Sequence, residues 1–467
     1  METKQFDVVV IGGGPGGYPA AIKAAQNGKK VALVEAKELG GTCLNRGCIP
    51  SKALIADAEM YQNAKNGTKL GILSGSVGFN FAQMVKHKND VVLKMRKSLE
   101  GLIASNQITV VKGYGKFISP KEIKVMGEEN VILQTEKTII ATGSEPRYIS
   151  AFPFDYKKVH DSTSLLAAQS LPKSIVIIGG GVIGCEFASL YANLDVQVTI
   201  LEMMPRLIPM EDKGVSEFLR KSFQKKSVVI QTEARVAGID TTEKGVSVRL
   251  EQGSPVTADI ALVAVGRQLN TTDIGLEKAG VLVQDNGVIQ VNEQMETNVP
   301  GIYAIGDITS NRWWLAHVAT HQGVVAASNA IGIPAHMNYR AIPSVIFTNP
   351  EIATVGLNLE DALAQGYQAT LGAFPFQALG KAQAAFHTDG FAQIVLDKRT
   401  GQILGAQVVG YEASTLIAEM TVAIANELTI ECIAETIHAH PTMAEAWLEA
   451  ALVGMGTPLH LLPKRKT

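Results

Sequence analysis

Two copies of one glycine pattern, each between a strand and a helix, constrain this chain more than any other feature. A run of apolar residues precedes each copy, as in a buried parallel strand, and a helical pattern follows each. The glycines have the spacing G-x-G-x-x-G and are Gly12, Gly14 and Gly17, then Gly179, Gly181 and Gly184. One such pattern alone is weak evidence of dinucleotide binding, whereas two in the same context predict two dinucleotide-binding units.

An acidic residue ends the second strand of each unit. Glu35 and Glu202 follow their glycines at the same distance in sequence. A dinucleotide pyrophosphate binds at the N-terminus of the first helix, where free N–H groups favour negative charge. The acid then accepts hydrogen bonds from a ribose diol. Since a carboxylate repels the 2′-phosphate of NADP, Glu202 predicts a preference for NAD, although Arg206 follows it closely.

The two units differ in the material before their closing strands. The interval from Glu35 to Gly143 is about 44 residues longer than that from Glu202 to Gly266. A cysteine pair lies at the start of this extra material. The first unit is therefore predicted to hold FAD beside redox chemistry, and the second to hold a nicotinamide cofactor.

The pattern of strands and helices divides the chain into four segments. The first unit covers 1–145 and the second 146–268, and a strand and turn ending at Asp307 indicate a return to the first domain over 269–339. Asp307 itself has two interpretations, a flavin contact or a helix cap. Residues 340–467 have no nucleotide pattern and predict an α+β domain, with antiparallel strands at 392–396 and 403–409 followed by helices at 416–426 and 430–437.

The composition is that of an ordinary globular protein, with 46% hydrophobic and 18% charged residues and a formal net charge of −2. Nothing in this balance calls for nucleic acid or an anionic membrane as a partner. No stretch approaches the roughly 18 consecutive apolar residues that span a bilayer, and no signal-peptide pattern opens the chain. With only four cysteines, the sequence predicts a cytoplasmic protein and not a secreted disulfide scaffold.

Cys43 and Cys48 form the one close cysteine pair in the sequence. A disulfide needs Cα atoms about 4.4–6.8 Å apart, whereas residues five apart in an undistorted helix are roughly 8–9 Å apart. If the two bond, the backbone must bend, which Gly47 and Pro50 would permit. A strained, accessible disulfide favours redox chemistry. Two inert thiols remain an alternative, and no metal site is predicted because further zinc ligands are lacking nearby.

The segment HAHPTMAE near the C-terminus contains a candidate base. In one interpretation His440 is a general base and Glu445 the carboxylate that orients it, since thiol chemistry needs a thiolate. In the other, Thr442 and Glu445 form a capping box for the following helix, and Pro441 only ends the preceding segment. The segment alone does not decide between the two.

These pieces, in this order, resemble the class I pyridine nucleotide-disulfide oxidoreductases. The resemblance covers essentially the whole chain and rests on the motifs GGGPGG, GGTCLNRGCIPSK, ATGS, GGGVIGCE, AVGR, AIGD, LAH and HAHPTMAE. The run CLNRGCIPSK is most similar to the members that oxidise dihydrolipoamide. The resemblance implies two Rossmann-like domains of the ββα type, a C-terminal α+β dimerisation domain, and the cofactors FAD and NAD.

The resemblance also implies roles for individual residues. Cys43 would exchange with substrate, Cys48 would face the flavin, Lys52 would pair with Glu186 near the flavin, and His440 and Glu445 would act in the active site of the other subunit. The implied FAD contacts are Gly12, Gly14, Gly17, Glu35, Thr42, Lys52, Gly115, Thr142, Gly143, Asp307, Ala316 and His317. The implied NAD contacts are Gly179, Gly180, Gly181, Val182, Ile183, Glu202, Val236 and Gly266.

The implied activity is oxidation of dihydrolipoamide on the lipoyl domain of a 2-oxo acid dehydrogenase E2 component, by a homodimer bound to the core of that complex. The alternatives are another flavin disulfide reductase or diaphorase, and a non-catalytic redox-sensing or structural subunit. One departure from the family pattern is the pair Trp313-Trp314, for which packing beside the flavin or the dimer interface is expected.

Overall fold

The N-terminal part of the chain forms one large sheet with helices against it. The computed structural model describes residues 1–72, 75–128, 130–310 and 312–461. The strands here are β1 (Glu2–Gln5), β2 (Val8–Ile11), β3 (Val31–Glu35), β4 (Thr109–Ser119), β5 (Glu122–Gly127), β6 (Val131–Gln134), β7 (Lys137–Ile140) and β8 (Ser144–Pro146). The helices are α1 (Gly17–Ala25), α2 (Gly41–Arg46), α3 (Cys48–Lys69) and α4 (Phe81–Ser105).

The second unit follows with its own sheet. Its strands are β9 (Val159–His160), β10 (Ser174–Ile178), β11 (Gln197–Leu201), β12 (Val229–Gln231), β13 (Val236–Thr242), β14 (Gly245–Leu250), β15 (Val256–Ala258), β16 (Ile260–Val263) and β17 (Arg267–Leu269). Its helices are α5 (Ser162–Leu166), α6 (Val182–Asn193) and α7 (Lys213–Lys225). The short strands β8 and β17 pair with each other and join the two units.

The chain then returns to the first sheet. The elements of this return are α8 (Leu276–Ala279), β18 (Ile302–Ala304), a 3₁₀ turn (Gly306–Thr309) and α9 (Ala316–Ala330). Strand β18 pairs in parallel with β7 and completes an eight-stranded sheet. Helices α1 and α9 pack together on this sheet. Residues far apart in sequence are thereby brought to one sheet edge.

The two parallel sheets have matching strand orders. The first runs β4-β3-β2-β7-β18, continued by β5, β6 and β1, and the second runs β12-β11-β10-β16-β9. Each unit also has an antiparallel set of three strands. In the first it is β4-β5-β6, where β4 is also the outer parallel strand, and in the second it is β13-β14-β15, which lies in the chain between the outer strand β12 and β16. The inner strands are buried apolar runs apart from Glu35 at the end of β3 and Ser174 at the start of β10, as parallel strands covered on both faces require.

The C-terminal domain is an antiparallel sheet with helices on it. Its strands are β19 (Pro343–Ile346), β20 (Ile352–Gly356), β21 (Ala369–Pro375), β22 (Phe391–Asp397) and β23 (Ile403–Val409), in the order β19-β20-β23-β22-β21. Its helices are α10 (Leu359–Ala364), α11 (Gly380–Ala384), α12 (Ala413–Ala425), α13 (Ile430–Glu435) and α14 (Glu445–Gly454), with a 3₁₀ turn at Phe376–Ala378. The predicted hairpin of β22 and β23 is present.

The predicted fold class is confirmed: two Rossmann-like α/β units and an α+β domain. The predicted helix 416–426 begins three residues earlier, and 430–437 ends two residues earlier. The domain limits predicted above stay predictions, and residues 462–467 lie outside the described residues. Among the described residues, no helix is long and apolar enough to cross a membrane.

Candidate active site

Two glycine turns at the carboxyl ends of β2 and β10 have the same geometry. A Cβ atom on Gly17 would lie 1.8 Å from the Gly12 carbonyl oxygen, and one on Gly184 would lie 1.9 Å from that of Gly179. Gly12 and Gly179 also have nearly equal positive φ angles, 108° and 109°. Only glycine fits at these positions, because the helix approaches the strand too closely for a side chain.

The two acids are held by backbone N–H groups in the same way. Glu35 accepts a hydrogen bond of 2.7 Å from Gly13 N and another of 2.7 Å from Lys37 N. Glu202 accepts one of 2.5 Å from Gly180 N and one of 2.6 Å from Met204 N. Both carboxylates are therefore fixed beside their glycine turns at the end of the second strand, where a ribose would lie.

Arg206, which follows Glu202 closely and weakened the prediction of NAD over NADP, is hydrogen-bonded within its own loop. Its guanidinium donates to the carbonyl oxygens of Pro209 at 3.0 Å and Glu211 at 3.3 Å. These bonds tie it to its own loop.

Most residues predicted to contact FAD lie at one edge of the first sheet. Because β2, β3, β7 and β18 are parallel, their carboxyl ends bring the glycine turn, Glu35, Thr142 and Asp307 together. Thr142 Oγ1 donates to the Asn270 carbonyl oxygen at 2.7 Å, and Asn270 Nδ2 donates to the Thr142 carbonyl oxygen at 3.0 Å. The segment after β7 is thereby fixed.

Asp307 is not a helix cap. It lies inside the 3₁₀ turn, where its carboxylate accepts a hydrogen bond from the Ser144 hydroxyl. Arg267 Nε lies 3.9 Å from the same carboxylate and donates to the Ser144 hydroxyl at 2.6 Å. Among the remaining predicted contacts, Gly115 is buried in β4 against Ile11. His317, at the start of α9, has Nε2 2.8 Å from the Pro343 carbonyl oxygen.

The cysteines lie on either side of a break between two helices. Cys43 is in α2, Gly47 separates the helices, and Cys48 is the first residue of α3. The bend expected at Gly47 is therefore present. The two side chains are half-buried free thiols, and they interact strongly enough to shift each other's pKa in opposite directions. The break thus places the two sulfurs side by side at the N-terminus of a 22-residue helix.

The surroundings favour ionisation of one thiol over the other. The hydrogen bond from Cys43 lowers the pKa of Cys48 to about 7, with a further contribution from the positive charge of Lys52, against opposing burial. The same hydrogen bond, together with burial, raises the pKa of Cys43. Cys48 is therefore the sulfur that carries negative charge near neutral pH.

Lys52 and Glu186 are brought together across the boundary between the two units. Lys52 Nζ donates to both carboxylate oxygens of Glu186, at 2.9 and 2.7 Å. Lys52 lies one helical turn after Cys48 in α3, and Glu186 is buried in α6. The pair fixes a cation next to the thiols.

His440 and Glu445 also form a pair, within the C-terminal domain. His440 Nδ1 lies 2.8 Å from Glu445 Oε1, and Thr442 N donates to Glu445 Oε2 at 2.8 Å. Although partial burial opposes it, these bonds lower the pKa of Glu445. The helix begins after Ala444, and the Thr442 hydroxyl donates to Ala439, so the complete capping box is absent. The ring of His440 is 75% exposed.

The helix that follows His440 and the helices that contain the cysteines pack on different elements. Helix α14 packs on β21, β22 and α13, whereas α2 and α3 pack on each other and on α4, α5 and α6. The hydrogen-bonding partner described for the His440 ring is Glu445. The exposed ring of His440 is thus accessible to a second subunit.

Sequence reasoning missed a second histidine–carboxylate pair. The side chain of His438 is almost fully buried, and its Nε2 lies 2.9 Å from Glu419 Oε1, an interaction that raises the pKa of His438. Spacing within HAHPTMAE could not have shown this, because Glu419 is on another helix, α12.

The tryptophan pair has separate contacts. Trp314 packs against one face of the first sheet and donates its indole N–H to Ser310 O at 2.7 Å. Trp313 packs against the core on the other face, with the Arg312 guanidinium 4.7 Å from its ring centre.

The backbone at both glycine edges is open. A Cβ atom on Gly143, Gly181 or Gly266 would meet nothing within 4 Å, so the backbone there faces open space. With the fixed carboxylates and the free N–H groups at the starts of α1 and α6, this open surface fits a pyrophosphate and a ribose in each unit. The candidate site combines two open glycine edges and a pair of thiols.

The chain belongs to the pyridine nucleotide-disulphide oxidoreductase family. Residues 6–323 match the family model of that description, and residues 342–451 match the model of its dimerisation domain. Members of this family use FAD and NAD(H).

Relatives that match over nearly the whole chain are named dihydrolipoyl dehydrogenase. The protein from Chlamydia pneumoniae is 51% identical, over 99% of this chain and 100% of its own length. That from Geobacillus stearothermophilus is 43% identical over 98% of both. Among solved structures, LpdA from Mycobacterium tuberculosis has a TM-score of 0.90 at 28% identity, covering 95% of this chain and 99% of its own. RclA from Escherichia coli, an HOCl-induced flavoprotein disulfide reductase, has a TM-score of 0.85 at 28% identity, covering 94% of this chain and 98% of its own.

Proposed function

We propose that this protein is a dihydrolipoyl dehydrogenase that oxidises a dihydrolipoyl group to its cyclic disulfide and reduces NAD⁺ to NADH. The observation that supports this most strongly is the interacting pair Cys43–Cys48, with Lys52 held beside it by Glu186. Relatives of that name at up to 51% identity over the full chain support the choice of substrate.

The substrate dithiol is oxidised by thiol–disulfide exchange with the protein. His440 takes a proton from one substrate thiol, and the resulting thiolate attacks Cys43 of the Cys43–Cys48 disulfide, releasing Cys48 as a thiolate. The second substrate thiol then attacks the mixed disulfide. The substrate leaves as a ring disulfide, and the protein keeps both electrons as a dithiol.

Reoxidation of the dithiol needs both dinucleotides. Bound FAD would carry the two electrons from the dithiol to NAD⁺, which leaves as NADH together with a released proton. We infer that the glycine turn at Gly12 and Glu35 hold FAD, and that the turn at Gly179 and Glu202 hold NAD. Lys52 would keep a positive charge beside Cys48 while the thiolate exists.

We infer a homodimer in which each dithiol uses His440 and Glu445 of the other subunit. The exposure of His440 and the match of the C-terminal domain to a dimerisation domain support this. The partner would be the lipoyl domain of an E2 component of a 2-oxo acid dehydrogenase complex. A cytoplasmic location stays a prediction from the sequence.

Turnover with dihydrolipoamide and NAD⁺ tests the proposal. The wild-type protein should oxidise dihydrolipoamide, and Cys48→Ser should abolish this while FAD stays bound. Rates with lipoamide, glutathione and quinones separate the alternatives. A preference for glutathione, or turnover that survives in Cys48→Ser, would overturn the proposed function.

A further inference from the structure

Three domains meet at the carboxylate of Glu186. Lys52 of the first domain donates to both of its oxygens, and the backbone N–H of Phe347, which follows β19, donates to Oε1 at 3.0 Å. Glu186 itself is in α6 and only 7% exposed. The C-terminal domain therefore shares the carboxylate that holds the lysine.

The ring of Phe347 also contacts the lysine directly. Lys52 Nζ lies 4.7 Å from the ring centre, within the distance at which a cation is attracted to an aromatic face. Phe347 is half-buried and packs against the apolar core that α3 and α6 share. The ring is therefore fixed in place, and the ammonium lies between it and Glu186.

This arrangement restricts a side chain that would otherwise move. Lysine is a point charge on a flexible stem of four carbons, and 29% of the Lys52 side chain is exposed, so water competes for its ammonium. The charged or titratable groups that act on Cys48 are Cys43, Lys52, Glu186 and Arg267. The interaction with Cys43 lowers the pKa of Cys48 most; Lys52 lowers it further and Glu186 opposes this, so a displacement of Lys52 would shift the pKa.

We propose that Phe347 is a positioning residue for Lys52, through which the C-terminal domain holds the cation beside the Cys43–Cys48 pair. Its ring keeps the ammonium from turning to solvent, and its N–H holds the carboxylate that anchors it. The inference rests on the proposed function, since the pair must be the redox dithiol for this position to matter.

The test compares Phe347→Leu with Phe347→Tyr in the FAD-loaded protein. Leucine keeps apolar bulk and the backbone N–H but has no aromatic face, whereas tyrosine keeps the face. After anaerobic reduction to the dithiol, the long-wavelength absorbance of a thiolate against flavin is followed with pH. Loss of a cation–π contact in Phe347→Leu should lower the acid dissociation constant of Cys48 about two- to fivefold. The pH at which half of the absorbance is developed, the midpoint, should therefore move upward. Phe347→Tyr should restore the wild-type midpoint.

A matched control is Phe6→Leu, which removes the other Phe ring that has a described lysine contact. Lys30 Nζ lies 5.0 Å from that ring, and the site is in the β1–β2 connection. This variant should leave the midpoint unchanged. An unshifted midpoint in Phe347→Leu, or a shift that Phe347→Tyr does not restore, would overturn the inference.

Two outcomes separate the inference from the proposed function. If the wild-type protein itself develops no such absorbance, the proposed function fails. If the wild-type band is normal and the midpoint of Phe347→Leu is unshifted, only the role of Phe347 fails. If Phe347→Leu does not fold, Phe347→Met is measured in its place with the same expected shift.

Discussion

Single atoms around Cys48 decide which sulfur of the pair is ionised. The thiol of Cys43 donates to it, Lys52 lies beside it, and Glu186 opposes the charge while holding the lysine. The pKa of Cys48 is lowered to about 7. The thiolate should therefore be present above about pH 7 and be lost as the pH falls through that value. Cys43 keeps its proton near neutral pH, because the hydrogen bond and burial raise its pKa.

Substitutions of the single residues His440 and Glu445 should lower turnover to different extents. Replacing His440 with Asn removes the base and should lower dihydrolipoamide turnover by about 10²- to 10⁴-fold. Glu445→Gln keeps the shape but loses the charge that faces Nδ1, so its loss should be smaller, roughly 10- to 100-fold. Steady-state assays measure both. Cys432→Ser, at an exposed cysteine, serves as the control. Unchanged turnover in His440→Asn would contradict the role of the base.

At the scale of elements, one strand–turn–helix design is used twice. The glycines and acids could be predicted because their contacts are local, between neighbouring strands and the helix that joins them. The bend at Gly47 could be predicted from the reach of a disulfide. The contacts of Phe347 could not, because its partner Glu186 is 161 positions away and binds a backbone N–H that any residue would offer.

The paired glycines predict selective loss of one cofactor. Gly17→Ala should prevent FAD retention, and Gly184→Ala should prevent NADH binding while FAD stays bound, because each new Cβ would clash with a backbone oxygen. Flavin absorbance of the purified protein and NADH titration measure the two effects. Gly78→Ala, where a Cβ meets nothing within 4 Å, is the control. Loss of FAD from Gly184→Ala alone would contradict the assignment of the units.

Glu202 predicts the choice between NAD and NADP. Glu202→Ala removes the charge that repels a 2′-phosphate and should raise the preference for NADPH relative to NADH about tenfold or more. Arg206→Ala should leave that ratio unchanged, since the guanidinium is held by its own loop. The ratio of kcat/KM for the two nucleotides checks both. If the kcat/KM ratio of the two nucleotides changed only in Arg206→Ala, then Arg206 and not Glu202 would set the nucleotide preference.

At the scale of the whole molecule, His440 and the cysteines belong to segments that match two different family models. The sequence predicts separate domains for the two motifs, and the family resemblance implies that His440 acts in the site of the other subunit, although the motifs alone give no relative position. In the structure the ring of His440 is exposed, and its described partner is Glu445. The complete site is therefore expected only in a dimer.

Mixed dimers test the shared site. Neither Cys48→Ser nor His440→Asn alone should turn over dihydrolipoamide appreciably. A mixed dimer has one site with both residues intact if they come from different subunits. Random mixing by refolding or coexpression should therefore restore about a quarter of the wild-type activity. Mixtures that stay inactive, although mixed dimers are shown to form, would place the complete site within one subunit.

If the Cys48 sulfur lies against the flavin as a thiolate, an anaerobic titration of the protein with NADH will show it. One equivalent of NADH added to the FAD-loaded protein at pH 8 should produce a long-wavelength charge-transfer band, which should fade as the pH is lowered through about 7. The band should be absent in Cys48→Ser. Direct bleaching of the flavin with no such band at any pH, or a band that persists in Cys48→Ser, would contradict the account.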